Sequence, residues 1–428
     1  MRTLPPAAAP IYLKDIISGF KGLLRGQKEL SRFESELTGY FGAKHCFLVS
    51  SGKAALTLIL RALKDIYPHR DEVLIPAYTC YSVPSSIVRA GLKVKLCDID
   101  PETLDFDFDQ LSEIFNKPNN PSNPTNPTNP SNSSNPTNPS NQLAIIPVHL
   151  YGLPANIDRL KKTIEDPCVT IIEDAAQCIG GESNCRKLGT LGDVSFFSLG
   201  RGKAFSTVEG GIILTNKDEI AEKLKGQLEK LRDYVTLGLS RLIFNSIALM
   251  FFLNPSLYWF PKSIPPLRLG DTIYDPAFKI KKMSPFQAGM ASGWKGKLKK
   301  FKAARSRNSK FLFKSFQQSK TYKLPASSYQ LPAISYELSS NLIRFPIMIR
   351  DDALRLRILE ESETRGLGIM PGYPASIDGI KELASHFKGG HFPKAKEVAD
   401  HLITLPIHPF VTSDDLVRIT SLISSTVR

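Results

Sequence analysis

The sequence has no Cys-x-x-Cys pair and no histidine partners at zinc spacing. Its six cysteines, Cys46, Cys80, Cys97, Cys168, Cys178 and Cys185, lie scattered in the first half of the chain. This pattern argues against a disulfide framework and a structural metal, and it fits a reducing, cytoplasmic compartment. The first fifteen residues hold no continuous apolar core, so no signal peptide is expected. The strongly apolar stretch LIFNSIALMFF (242–252) falls short of the ~20 residues a spanning helix needs, and Pro255 follows closely. It is expected to be a buried helix or an oligomer contact. An interfacial helix on a membrane surface, flanked by Arg241 and Lys262, is the sharper reading. Acidic residues are in deficit: 55 Lys and Arg stand against 41 Asp and Glu, a formal charge of +14. That charge suits nucleotide phosphates, acidic membranes or nucleic acid without choosing among them.

What is present is a regular alternation. Short apolar runs at 46–49, 72–76, 93–99, 144–150, 168–174, 194–199 and 210–216 read as strands, with helical patterns such as 27–41, 53–63 and 85–91 around them. This predicts a three-layer α/β/α domain on a mostly parallel sheet. The chain of 428 residues is long enough for a second domain, and residues 335–428 read as a smaller α/β unit. The expected division is 1–265 and 266–428. Two features interrupt the pattern. Residues 117–142 repeat Asn-Pro-Ser/Thr and cannot build a core, so they read as a disordered surface insertion. Residues 294–320 carry many lysines and arginines and no acid, which predicts a solvated helix; no nucleic-acid fold motif accompanies it, and no nucleic-acid partner is expected.

The stretch FFSLGRGKAFSTVEGG (196–211) holds one lysine, Lys203, among small residues. A Walker loop would need Gly at 197 and Ser or Thr at 204; Phe197 and Ala204 stand there. Strand ends offer another reading, because open parallel sheets gather ligands at the carboxyl ends of their strands. One such run ends at Ser50-Ser51-Gly52 before a helix, whose free N–H groups suit a phosphate. A second ends at Asp174, and a third just before Lys203. A phosphate seat, a carboxylate and a lysine together match what pyridoxal 5'-phosphate requires. The lysine amine joins its aldehyde, and the acid keeps the pyridine nitrogen protonated.

These residues carry a family resemblance. GQKELSRFESELTGYFG, SSGKAALTLIL, AIIPVHLYGLPANID and MSPFQAG occur in order around IIEDAAQCIGGESNCRKLGTLGDVSFFSLGRGKAFSTVEGGIILTN (171–216). The chain resembles the DegT/DnrJ/StrS family of pyridoxal-phosphate-dependent sugar aminotransferases. The resemblance implies an aspartate-aminotransferase-like large domain and a homodimer with active sites at the interface. It implies transfer of an amino group, commonly from glutamate, to a nucleotide-linked keto-sugar. By position, Lys203 would bind the cofactor covalently and move the substrate proton. Asp174 would pair with the pyridine nitrogen, Gln177 would bond near the ring hydroxyl, and Ser198 with the backbone at Ser51, Gly52 and Lys53 would hold the phosphate. Family dehydratases generally carry histidine where this chain has Lys203, so lysine favours amine transfer. His149 is expected to be structural.

The chain departs from the family's pattern at several points. Lys53 stands in place of a usual threonine, and it either strengthens phosphate binding or points outward. Cys80 takes a position where an aromatic often stacks on the cofactor, leaving Tyr78 or Tyr81 to compensate. Val83, Ala204 and the apolar 242–260 segment also differ from the usual residues. A competing expectation is a non-catalytic, membrane-associated or regulatory protein that keeps the fold.

Overall fold

The computed structural model describes residues 2–116, 141–164, 166–264, 272–316, 341–387 and 389–426. The Asn-Pro repeat from 117 to 140, the expected domain boundary at 265/266 and the end of the basic stretch at 317–320 lie outside these residues.

Helices α1 (Leu13–Arg25) and α2 (Gln27–Phe41) precede strand β1 (His45–Val49). Then come α3 (Gly52–Ile66), β2 (Glu72–Pro76), α4 (Ser82–Arg89), β3 (Lys93–Cys97), α5 (Phe108–Asn116) and β4 (Gln142–Ile145). Next are α6 (Ile157–Thr163), β5 (Thr170–Asp174), the small hairpin β6 (Glu182–Ser183) and β7 (Arg186–Lys187), β8 (Val194–Ser198) and β9 (Gly211–Thr215). Seven strands form one sheet in the order β1-β9-β8-β5-β4-β2-β3. Strand β9 runs antiparallel to both β1 and β8, and the remaining pairings are parallel. The exception matters. An antiparallel neighbour is reached by a loop instead of a crossover helix, and that loop, 199–210, carries Lys203.

Period-2 alternation explains the layers. Leu48, Phe197, Ile212 and Leu214 face one side and pack with Phe33 and Leu37 of α2. Val49, Phe196 and Ile213 face the other side and pack with α3. Trp294 and Phe301, from α11 (Trp294–Phe316), complete the first layer. So the basic helix is a wall of the core on one side: Trp294, Leu298, Phe301 and Leu312 are buried. Glycines let α1 cross α10 (Pro285–Met290) closely. A Cβ on Gly289 would meet the Ser18 carbonyl oxygen at 2.3 Å, and one on Gly22 would meet the Pro285 carbonyl oxygen at 2.3 Å.

Before α10 come α7 (Asp218–Glu229), α8 (Thr236–Phe252) and α9 (Trp259–Lys262). The apolar 242–252 stretch lies in α8, and the expectation of a buried helix is corrected here. Only Leu242 and Ser246 are buried in that helix, whereas Leu237, Phe244 and Phe251 are exposed. Apart from Thr236, Ser240, Arg241, Asn245 and Ser246 the helix is apolar or glycine, yet it packs along one stripe. Among the described residues, no helix is long and apolar enough to cross a membrane.

A second, antiparallel sheet has the order β10-β12-β11, from β10 (Arg344–Met348), β11 (Met370–Pro371) and β12 (Leu402–Pro406). Helices α12 (Asp352–Arg365), α13 (Pro393–His401) and α14 (Ser413–Thr426) accompany it. An N-terminal strap ties this part to the 199–210 loop. Leu4 N–H donates to the Gly366 carbonyl at 2.8 Å, and Ala9 N–H to the Arg201 carbonyl at 3.1 Å. The buried His408 donates from Nε2 to the Pro5 carbonyl at 2.8 Å.

Candidate active site

The sheet register brings the candidate residues to one edge. Val49 and Ser198 both pair with Gly211, and Phe196 pairs with Asp174. The segment after Val49 therefore sits beside Ser198, one strand away from Asp174.

Ser51 caps α3, its Oγ accepting Ala54 N–H at 3.1 Å, and its carbonyl accepts Ala55 N–H. The N–H groups of Gly52 and Lys53 find no acceptor among the described residues. Two aligned donors at the positive end of a helix form an anion seat. Gly52 is required by the approach of Ser198, whose Cβ would lie 3.0 Å from a Cβ at position 52. The Ser198 hydroxyl accepts Gly200 N–H at 3.3 Å and keeps its own proton to give. Lys53 points away from this seat. Its Nζ lies 3.5 Å from Asp275 Oδ2 and 4.4 Å from the centre of the Phe278 ring. What Lys53 offers here is its amide.

Asp174 is buried, and its Oδ1 accepts Ala176 N–H at 3.0 Å. Among the described residues nothing donates to Oδ2. Burial raises its pKa; the Ala176 amide and the Lys203 charge oppose that rise without cancelling it. Such a carboxylate is stabilised by a nearby cation. Residues 175–181 form turns and no helix, so the Asp174 carboxylate is not spent on capping a helix. The expected strand 144–150 breaks at Pro147, whose carbonyl accepts Asp174 N–H at 3.0 Å, while His149 N–H donates to the Asp174 carbonyl. Lys203 is half-buried, and its Nζ has no hydrogen-bond partner among the described residues.

The pair behind Asp174 was only half legible. His149 was read as structural, but its partner Glu173 was not singled out. His149 Nδ1 accepts Ala155 N–H, which leaves the proton on Nε2 for Glu173 Oε1 at 2.7 Å. Glu173 also accepts the N–H groups of Gly189, Leu191 and Gly192. Burial pushes its pKa up, yet these donors hold it below the ordinary value. The pair braces Asp174 from behind.

Gln177 is held on both sides. Its Oε1 accepts Tyr151 N–H at 3.2 Å, and its Nε2 donates to the Tyr373 hydroxyl at 3.2 Å. Tyr78 is fully buried and its hydroxyl accepts Tyr373 N–H at 2.9 Å; Tyr81 donates to the Ala375 carbonyl at 3.3 Å. Both tyrosines are thus committed to the wall, and Cys80 is the more accessible of the three. Tyr151 and Tyr373 stack with ring centres 5.9 Å apart. Near this cluster sits Arg344, the first residue of β10, with Nε and Nη2 buried and without a hydrogen-bond partner among the described residues. In the sequence, an arginine opening a strand carries no signal of its own.

The profile of the DegT/DnrJ/EryC1/StrS aminotransferase family matches residues 14–424. The chain belongs to that family. It is therefore a transaminase by class, with pyridoxal 5'-phosphate as its cofactor. An uncharacterized protein, MJ1066, from Methanocaldococcus jannaschii is 25% identical over 99% of this chain and 96% of its own length. GDP-perosamine synthase from Vibrio cholerae is 31% identical over 50% of this chain and 51% of its own. A GDP-4-keto-6-deoxy-D-mannose 3-dehydratase from Yersinia pseudotuberculosis is 28% identical over 45% of this chain and 44% of its own. The match to these two enzymes of named activity spans about half their length or less. Among solved structures, the aminotransferase PseC from Helicobacter pylori has a TM-score of 0.74 at 16% identity and 99% coverage of both chains, which shows the fold. The residues present suit the cofactor: among the described residues the amides of Gly52 and Lys53, one oxygen of Asp174 and Nζ of Lys203 have no partner.

Proposed function

We propose that this aminotransferase moves an amino group from an amino acid, glutamate in the first instance, to a nucleotide-linked keto-sugar by a ping-pong cycle. The observation that carries this reading is the convergence of Lys203, Asp174 and the open amides of Gly52 and Lys53 at one sheet edge. Gly52, Lys53 and Ser51 would hold the cofactor phosphate by their backbone, and Ser198 by its hydroxyl. Asp174 would meet the pyridine nitrogen and Gln177 the ring hydroxyl, while Cys80, with Tyr78 and Tyr81 behind it, would close the wall beside the ring. When bound, the cofactor supplies an electron sink for the carbon that carries the amine. Lys203 anchors the cofactor through Nζ and then carries the proton at the same atom. Glu173 and His149 hold the Asp174 backbone in place.

A lysine at 203 supports transfer over dehydration, and the net charge of +14 supports an acceptor that bears phosphates. We also propose a homodimer. The exposed apolar residues of α8, with Leu13, Ile17, Phe20 and Leu24 of α1, support such a contact. A membrane surface is the competing occupant of that face.

The test is spectral. Purified protein is expected to be yellow, to bleach with L-glutamate and to recover colour with a panel of keto-sugar nucleotides. Lys203→Ala is expected to lose the visible band. Protein that stays colourless with added cofactor refutes the reading, as does an amine form that no carbonyl compound discharges.

A further inference from the structure

Arg305 stands where α11 calls for an apolar residue. Trp294, Leu298, Phe301, Arg305, Asn308 and Leu312 recur at helical spacing, and all are buried. Arg305 is 4% exposed, and its Nε has no hydrogen-bond partner among the described residues. The same helix buries a second cation, Lys297, but Asp15 Oδ2 lies 2.9 Å from its Nζ. Among the described residues no carboxylate lies within ion-pair distance of Arg305. A buried charge without a counter-ion is costly, so packing alone does not account for this residue.

What Arg305 does reach is the segment after Lys203. Its Nη1 donates to the Ala204 carbonyl at 3.1 Å. Ala204 and Phe205 are buried against α11, and Phe205 stacks on Trp294 with ring centres 5.8 Å apart. Before the lysine, main chain holds the loop: Lys203 N–H donates to the Gly200 carbonyl at 3.2 Å, and the Arg201 carbonyl accepts Ala9 N–H. After it, the next backbone bond among the described residues is at Thr207, whose N–H donates to the Leu199 carbonyl at 3.1 Å. Between these points the guanidinium supplies the partner that main chain does not.

Peptide units are planar, so holding the units on either side of a residue limits where its side chain can point. The unit before Lys203 is held by Gly200 and the unit after Ala204 by Arg305, so the Cα–Cβ direction of Lys203 has little freedom left. That matters most once Nζ is released from the cofactor. The lysine must then carry a proton from one spot, and a misplacement of ~1 Å costs about 100-fold in rate. We propose that Arg305 is a positioning residue for Lys203, acting through the Ala204 carbonyl. This rests on the transaminase reading above and adds no step to it.

The test uses cofactor-loaded wild type, Arg305→Met and Arg305→Lys. Single-turnover bleaching is followed against the concentration of L-glutamate, with ordinary and α-deuterated donor. Arg305→Met is expected to lower the plateau rate about 10- to 100-fold, with a deuterium effect at least as large as the wild type's and half-saturating glutamate within about twofold. Its urea midpoint is expected to stay at or above the wild-type value, because an apolar side chain replaces an unpaired buried charge. Arg305→Lys is expected to fall between in rate, because an ammonium donates to the carbonyl without the fixed fork of a guanidinium. In Lys203→Ala, methylamine is added as a free proton carrier. There Arg305→Met is expected to change the rescued rate less than about twofold, since the group it positions is gone. An unchanged plateau in Arg305→Met overturns the proposal, as does a slower rate that has lost its deuterium effect. A rescued rate that falls as far as the rate with Lys203 in place also overturns it, and so does a higher half-saturation at an unchanged plateau. If Arg305→Met does not fold, Arg305→Lys decides: a wild-type plateau there refutes positioning. All these results leave the transaminase reading standing, whereas a wild type that no amino acid bleaches takes both readings with it.

Discussion

His408 offers a pH-dependent handle on the strap over the Lys203 loop. Its side chain is 1% exposed. Nε2 donates to the Pro5 carbonyl, and Nδ1 accepts Phe410 N–H at 3.3 Å, so the ring is bonded in its neutral form. Burial lowers its pKa from 6.5 to about 4, with Arg305 and Arg2 acting in the same direction and the Pro5 carbonyl and Asp415 against it. Below pH 6.5 the unfolded chain takes up a proton that the folded chain refuses. The stability this histidine supplies is therefore complete above 6.5 and falls as pH drops toward 4. At 1.36 kcal/mol per pH unit, the loss is about 2 kcal/mol at pH 5 and about 3 kcal/mol at pH 4. His408→Gln keeps a donor for Pro5 and removes the titration. The assay is urea unfolding of both proteins between pH 7.5 and 5, each value taken as a difference from pH 7.5. Amide exchange at Leu4 and Ala9 reports the strap itself, because those amides bond Gly366 and Arg201. The wild type is expected to lose about 2 kcal/mol more than His408→Gln by pH 5, with faster exchange at both amides. Parallel pH profiles for the two proteins would refute the reasoning.

Three further outcomes are expected. Asp174→Asn keeps an acceptor for Ala176 N–H and deletes the charge, so cofactor affinity is expected to fall by about 100-fold or more in an absorbance titration, and unchanged affinity would remove Asp174 from the ring nitrogen. Glu173→Gln leaves His149 and three backbone donors with a neutral partner, and a loss of about 2 kcal/mol near neutral pH is expected. Because the folded pKa of Glu173 is lowered, that contribution is present above the ordinary 4.5 and lost as pH falls below it; a variant with the wild-type acid profile would contradict this. Gly289→Ala drives a methyl into the Ser18 carbonyl, so the urea midpoint is expected to drop by the equivalent of about 2 kcal/mol; an unmoved midpoint would mean that α1 and α10 separate without strain.

The strands that position the site were legible because their apolar runs are short and bounded by turn residues. Seven expected runs correspond to the seven strands of the main sheet, and the strand ends at Asp174 and near Ser51 lie where the periodicity put them. The wall beside Cys80 was less legible. Tyr78 and Tyr81 are equivalent as letters, and only burial and hydroxyl partners reveal that both are committed elsewhere. Lys53 was undecided for the same reason: its reach spans both the seat and Asp275, and the fold chose Asp275. For α8 the sequence misled, because apolar composition says that a face must be covered but not by what.

Local order in the chain determined the chemistry: a lysine in a loop of small residues, an acid closing a strand, and serine and glycine opening a helix. Those depend on neighbours a few residues away, and a sequence displays them directly. Tertiary structure alone decided the direction of β9, the seating of His149 on Glu173, and the isolation of Arg344 among tyrosines. Each of these depends on which distant groups arrive to satisfy a buried charge or hydrogen bond, and partners far apart in the chain leave no local mark.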